Sequence, residues 1–306
     1  MKSKLILTIS SVLGLSVMGF LITFIGFNYF YLNTKSNSPR SHEDLSIKKS
    51  NKPHEYNLIT NIIKRLATYN DLGKESIYFT ITSGNYANWL AEELDICDQD
   101  DCTYFGTLNP FKTYSERIKK ETNEIIRQSY LLGKTDAYAL PNNTIAISRS
   151  TFKTIDKRHD ILAFVISHEI AHVIDNSTFY DSLKESKKGR FMEKEERKKL
   201  SYTISRESEK AADRKACLFL FNAGYSLSSC TDSIIFGHFS SGDGEETKED
   251  STHPGYEERL KAMEEYVKQL ENKSRNNKKL TIGKIIFNKH QNFIKYSPTT
   301  IESLDP

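Results

Sequence analysis

The stretch 160–174, Asp-Ile-Leu-Ala-Phe-Val-Ile-Ser-His-Glu-Ile-Ala-His-Val-Ile, limits what this chain can fold into more than any other part of it. It is apolar on nearly every side, so a helix formed from it has to be buried in a domain core. That helix carries His168, Glu169 and His172. Two imidazoles and a carboxylate are costly to bury without a compensating partner. Residues four apart on a helix share a face one turn apart, so His168 and His172 can each aim a ring nitrogen at one cation. Glu169 then stands beside that cation without binding it. The bland reading, a pair of satisfied core histidines, leaves the desolvation of all three groups unexplained.

The pattern H-E-x-x-H suits zinc, which in catalytic sites takes three protein ligands and keeps one position open. Zinc lowers the pKa of its water to about 7, and a neighbouring carboxylate accepts the proton as a carbonyl is attacked. That is the chemistry of peptide-bond hydrolysis. The third ligand does not come from an H-E-x-x-H-x-x-G-x-x-H continuation, because Asp175 stands where the Gly would be and Thr178 where the last His would be. A Glu from a later helix is the other common choice, and Ser205-Arg206-Glu207-Ser208-Glu209-Lys210-Ala211-Ala212-Asp213 supplies Glu209. Asp213, four residues on, shares its face and can accept the free ring N–H of a ligand histidine. The competing reading is a surface helix of mixed charge with Glu209 paired to Arg206 or Lys210. Glu207 is read that way.

Residues 5–32 contain no charged side chain and follow Lys2 and Lys4. The run is long enough to span a bilayer. It ends in Asn28-Tyr29-Phe30-Tyr31 rather than in small residues, which favours an uncleaved anchor with a cytoplasmic amino terminus. Residues 33–54, rich in Ser, Asn, Lys and Pro, read as a flexible linker. Everything beyond is then expected outside the cytoplasmic membrane, periplasmic in a Gram-negative cell, where disulfides persist. Cys97 and Cys102 bracket a short acidic loop, and Cys217 and Cys230 flank an expected helix end. Two local bridges fit, although four cysteines allow three pairings. Neither pair has C-x-x-C spacing, so no metal is assigned to them.

From Tyr56, the residues Leu58, Ile59, Ile62, Ile63 and Leu66 predict an amphipathic helix, and Ile77-Tyr78-Phe79-Thr80-Ile81 a strand. Residues 84–109 read as irregular, 114–132 as a helix, and 144–148 as a strand after a turn at Asn142-Asn143. The charged stretch 181–203 reads as a solvated excursion, 204–222 as a helix capped by Gly224, 237–252 as a polar loop and 256–270 as a last helix. Residues 271–306 form a tail without an assignment. With 43 basic and 40 acidic residues the net charge is +3, and no basic stripe interleaved with aromatics suggests nucleic acid.

These elements resemble the HtpX-like and CAAX prenyl protease-like zinc endopeptidases of the gluzincin group. The resemblance rests on His168-Glu169-x-x-His172, on Ser205-Arg206-x-x-Glu209-x-x-Ala212-Asp213, on Asp136-Ala137-Tyr138-Ala139-Leu140-Pro141 ahead of a strand, and on His253-Pro254 followed by Arg259-Leu260. It covers about residues 55–270, the expected catalytic domain. It implies one zinc per chain held by His168, His172 and Glu209, with Glu169 as general base. Asp136 stands where the family usually has Asn, and a single apolar span points to the soluble-domain branch. His253 is expected either as a transition-state donor or as a fourth ligand blocking the water position, and Arg259 as an oxyanion stabiliser or as a group orienting a carboxylate.

The fold expected is α+β, mainly helical and zincin-like, with a small sheet whose edge strand at 144–148 runs beside the active-site helix. Such an edge can pair with any extended chain. The expectation is a membrane-anchored endopeptidase acting on unfolded or misfolded polypeptides in quality control or processing. The alternative is a non-catalytic binder of such chains with a structural zinc.

Overall fold

Residues 52–114, 119–241, 244–275 and 278–299 are described by a computed structural model of the chain. The expected anchor at 5–32 and most of the linker lie outside them. Among the described residues no helix is long and apolar enough to cross a membrane.

Helix α1 (His54–Tyr69) buries Tyr56, Ile59, Ile62, Ile63 and Leu66, the residues its spacing places on one face. It stops at Asn70, whose Nδ2 donates to the carbonyls of Leu66 and Phe219 at 3.0 Å each. Strand β1 (Ile77–Thr82) follows. The 84–109 stretch is not irregular: it holds α2 (Asn85–Glu93) and α3 (Gln99–Thr107), which pack with α4 (Lys119–Leu132) around Ala87, Ala91, Cys102, Phe105 and Ile125. Helices this short offer too few turns for an apolar period to stand out. A Cys97–Cys102 disulfide ties their connection.

The sheet also contains β2 (Ala137–Leu140), β3 (Thr144–Ser148), β4 (Lys284–Asn288) and β5 (Phe293–Ser297). Their order is β2-β3-β1-β5-β4, with β1 and β3 parallel and the other neighbours antiparallel. Two expectations are corrected here. The edge strand is β2, whereas β3 lies inside the sheet with Ile145, Ala146 and Ile147 buried, as its continuous apolar run fits. The Asn142-Asn143 turn, with Asn143 at φ 59°, joins the two as a hairpin. Residues beyond 270 are more than a tail, because β5 pairs with β1 and carries the sheet on to β4.

After α5 (Arg149–Ile155), the apolar helix α6 (His159–Ile174) runs through the core, burying Ile161, Leu162, Phe164, Ile166 and Ile170. The charged stretch is likewise helical rather than a loop. It forms α7 (Ser177–Lys188) and the first turns of α8 (Lys194–Asn222). Lys, Glu and Arg are strong helix formers, and a Glu193–Glu196 capping box starts α8 ten residues ahead of the expected Ile204. Its end matches expectation. Gly224 takes φ +75°, its N–H bonds to Phe221 O, and Tyr225 N–H bonds to Leu220 O, a Schellman closure. A Cys217–Cys230 disulfide then ties α8 to α9 (Ser228–Ser241), which extends into the expected 237–252 loop. Helix α10 (Tyr256–Glu271) packs on α8 and α9.

Candidate active site

Helix α6 packs against α8 on one side and β2 on the other. That packing brings His168, His172 and Glu209 together, with one donor atom from each lying within 4.8 Å of the others. Nε2 of His168 and Nε2 of His172 are 3.1 Å apart, and the two Glu209 oxygens approach them at 3.2 and 3.3 Å. Zinc bonds of about 2.0–2.1 Å in tetrahedral array put neighbouring donors about 3.3–3.4 Å apart. The three observed approaches fall close to that length, the two histidines meeting different oxygens of Glu209. Two imidazoles and one carboxylate are also the donor chemistry zinc takes. The residues present therefore fit a zinc ion.

Asp213, one turn beyond Glu209, places Oδ1 2.9 Å from Nδ1 of His168, bent away from the line of the ring N–H. Arg259 from α10 forks onto the same carboxylate, Nε to Oδ2 at 2.9 Å and Nη2 to Oδ1 at 2.8 Å. Arg259 thus reaches His168 through the Asp213 carboxylate. Burial pushes the Asp213 carboxyl up, but Arg259 and His168 outweigh it and hold it down at about 2.

His168 and Glu209 are similarly opposed by burial and drawn together by each other. Burial disfavours the imidazolium, while Asp213 and Glu209 more than reverse this and raise it to about 10. Burial also raises the Glu209 carboxyl, yet bonds to His168 and His172 leave it well below its usual range. Glu169 is 7% exposed; burial pushes it up to about 7, against the pull of both imidazoles and the Ala139 backbone N–H.

The ligands open into a cleft of about 370 Å³ lined on one side by Ala137, Tyr138 and Ala139 of β2. His253 stands at its mouth, 59% exposed, with Nε2 3.8 Å from Glu209 Oε2 and Nδ1 2.9 Å from Thr252 Oγ1. Arg206 holds the loop that presents it. Its Nη1 donates to the carbonyls of Lys248, Glu249 and Ser251, the last at 2.9 Å. In the sequence Arg206 enters only as a motif residue and as a candidate partner of Glu209, and no role falls on α7, whose Ser177, Asp181, Ser182 and Glu185 form the opposite cleft wall. The i, i+4 pair Asp181/Glu185 was the available signal, obscured by the lysines around it.

Residues 117–187 match the model of Peptidase family M48. The match runs from α4 to the end of α7 and includes His168, Glu169 and His172, though not Glu209. It supports a zinc metallopeptidase at the level of the M48 family. No curated protein and no solved structure matches the chain.

Proposed function

We propose that this chain is a membrane-anchored zinc endopeptidase of the HtpX-like and CAAX prenyl protease-like type, acting outside the cytoplasmic membrane on unfolded or misfolded polypeptides. The observation that carries the reading is the His168–His172–Glu209 cluster, with approaches of 3.1 to 3.3 Å between side chains, opening into a cleft walled by β2, an edge of the sheet among the described residues.

Zinc bound there would supply a Lewis acid that acidifies a water molecule and polarises a carbonyl. The rest belongs to the chain. An extended substrate lies along β2 and extends the sheet through backbone hydrogen bonds, which are indifferent to side-chain identity. Glu169 lines the same cleft one residue from His168, with its carboxylate held by the Ala139 N–H. It takes the proton of the attacking water and returns it to the leaving amide nitrogen. His253 donates toward the developing oxyanion from the cleft mouth, positioned by Thr252 and by the loop that Arg206 holds. Asp213 keeps His168 in the tautomer that presents Nε2 to the ion.

The test is metal analysis and digestion of an unfolded protein by the full chain beside three variants. Glu169→Gln should keep its zinc and lose about 10²–10⁴-fold in cleavage. Glu209→Ala should lose zinc, and His253→Ala should lower turnover with zinc unchanged. Undiminished cleavage by Glu169→Gln removes that residue from the mechanism.

A further inference from the structure

Helix α7 is amphipathic in an inverted sense. Ser177, Asp181, Ser182 and Glu185, at helical spacing, line the cleft. The opposite face carries Phe179, Tyr180 and Leu183, which are 58%, 51% and 37% exposed. The turn that follows adds Phe191 at 93% and Met192 at 38%. Ordinary amphipathic helices put such residues inward. Five large apolar side chains side by side on a helix and its turn mark a surface that another body covers.

The charges on this element identify the body. Between Ser177 and Met192 the bases are Lys184, Lys187, Lys188 and Arg190, and the only acids are Asp181 and Glu185. Both acids belong to the cleft wall. Lys184 pairs with Asp181 at 3.5 Å, so the outward face offers aromatics and leucine flanked by Lys187, Lys188 and Arg190, with the Arg190 guanidinium 5.5 Å over the Phe191 ring. That is the composition of a helix that lies in the plane of a lipid interface, its apolar side about 5–10 Å deep and its bases among anionic headgroups. A second copy seated on the same face would bring Lys187, Lys188 and Arg190 of one chain against those of the other. The anchor expected at residues 5–32, a run without charge and long enough to span a bilayer, would keep the domain near such a surface.

We propose that the outward face of α7 and its turn, with Phe179, Tyr180, Leu183, Phe191 and Met192, seats on an anionic lipid surface, so that one helix has a lipid side and a cleft side. The proposal is independent of the peptidase chemistry but rests on the membrane anchor of the proposed function, which it extends from a tether to a tether with a docked domain.

Trp89, the single tryptophan, sits on α2 and is 48% exposed, so it serves as an internal reference. The full chain is reconstituted in vesicles of phosphatidylglycerol and phosphatidylcholine with brominated acyl chains. The Trp89→Phe background carries Phe179→Trp or Phe191→Trp. Both new tryptophans should shift to the blue and lose most of their emission to the bromines, while Trp89 of the unaltered chain keeps its own. About 1 M salt, where screening acts within about 3 Å, should restore the emission. Adding Phe191→Asp, at a position too exposed to disturb packing, should release the tryptophan at 179. Unquenched tryptophans at 179 and 191 overturn the proposal. So does quenching equal to that of Trp89, and so does a blue shift that appears without lipid as protein concentration rises, which assigns the face to a second copy.

Discussion

Arg259 grips Asp213 with two branches of its guanidinium, at 2.8 and 2.9 Å, while the same carboxylate lies 2.9 Å from Nδ1 of His168. An arginine on α10 is thereby linked to a metal ligand on α6 through one carboxylate on α8. The side chains of Arg259 and Asp213 are 14% and 5% exposed, so solvent screens the pair little. Arg259→Lys keeps the charge but loses the fork. It should weaken zinc binding about 10–100-fold in a chelator competition, as loss of a ligand's outer partner does. Arg259→Ala leaves a buried carboxylate unpaired and should cost about 3–5 kcal/mol in denaturant unfolding. If the weakening works through Asp213, Arg259→Lys should weaken zinc little further in an Asp213→Asn background. Additive losses would mean that Arg259 acts by another route.

The legible parts of this molecule are those whose signal is local. His168 and His172 declare a shared face by their spacing, and Gly224 declares a helix end because φ +75° suits it. Glu209 is legible as a Glu on a later helix with Asp213 four residues on, and the family resemblance then adds Arg206 and Ala212 to the motif. The missed parts depend on long-range pairing or on composition that points both ways. That β2 and not β3 is the edge follows from β1 choosing β3 as its parallel partner, a pairing 66 residues apart at Tyr78 and Thr144 that no local pattern announces. The β4–β5 hairpin is joined to β1 from the far end of the chain. The 181–203 stretch is as solvated as expected, but its helices were not legible because its lysines and glutamates suit loops and exposed helices equally. Only packing against α8 reveals that Asp181 and Glu185 face a cleft.

The Cys217–Cys230 bridge closes a loop of 13 residues' separation and fastens the end of α8, the helix that carries Glu209 and Asp213. Loop-closure entropy for such a ring is worth about 3 kcal/mol. The double Ser variant should lose about that much in reversible denaturant unfolding, with little change in zinc affinity, since Cys217 stands about two turns of α8 beyond Glu209 and bonds to none of the three ligands. A loss of zinc without loss of stability would show that the bridge positions the ligands instead.

Removal of zinc should be visible without any substrate. A ligand present at 100 times its dissociation constant adds about 2.7 kcal/mol to the folded state. For a domain of this size, 1 kcal/mol moves the melting temperature by about 2–4 °C. Excess chelator should therefore lower the Tm by roughly 5–10 °C in differential scanning calorimetry. Glu209→Gln, which removes one donor charge from the triangle, should start from a lower Tm and respond much less. An equal response in both proteins would place the stabilising ion somewhere other than His168, His172 and Glu209.

Asp136 anchors the strand that lines the cleft. Its carboxylate accepts the Asn85 backbone N–H at 2.8 Å and Asn85 Nδ2 at 3.1 Å, while its own N–H and carbonyl bond to Thr151 and Ser148. Gly84, at φ +82°, permits that approach: a Cβ there would lie 2.4 Å from the Ser148 Cβ. Burial raises the Asp136 carboxyl above its usual range, with the Asn85 N–H pulling it back in part. The sign follows directly. An acid whose folded pKa is raised binds its proton more readily when folded, so the folded state loses stability as pH rises from the unfolded value of about 3.9 through the folded one. Above that interval the penalty is complete, and below it there is none. Asp136→Asn keeps an acceptor for the Asn85 N–H and has no charge to desolvate. The variant should be more stable than the parent in urea at pH 7, with the difference shrinking toward zero below about pH 4. A variant less stable at pH 7 would show that the second hydrogen bond, from Asn85 Nδ2, outweighs the cost of burying the charge, and that the acid is retained here for strand placement.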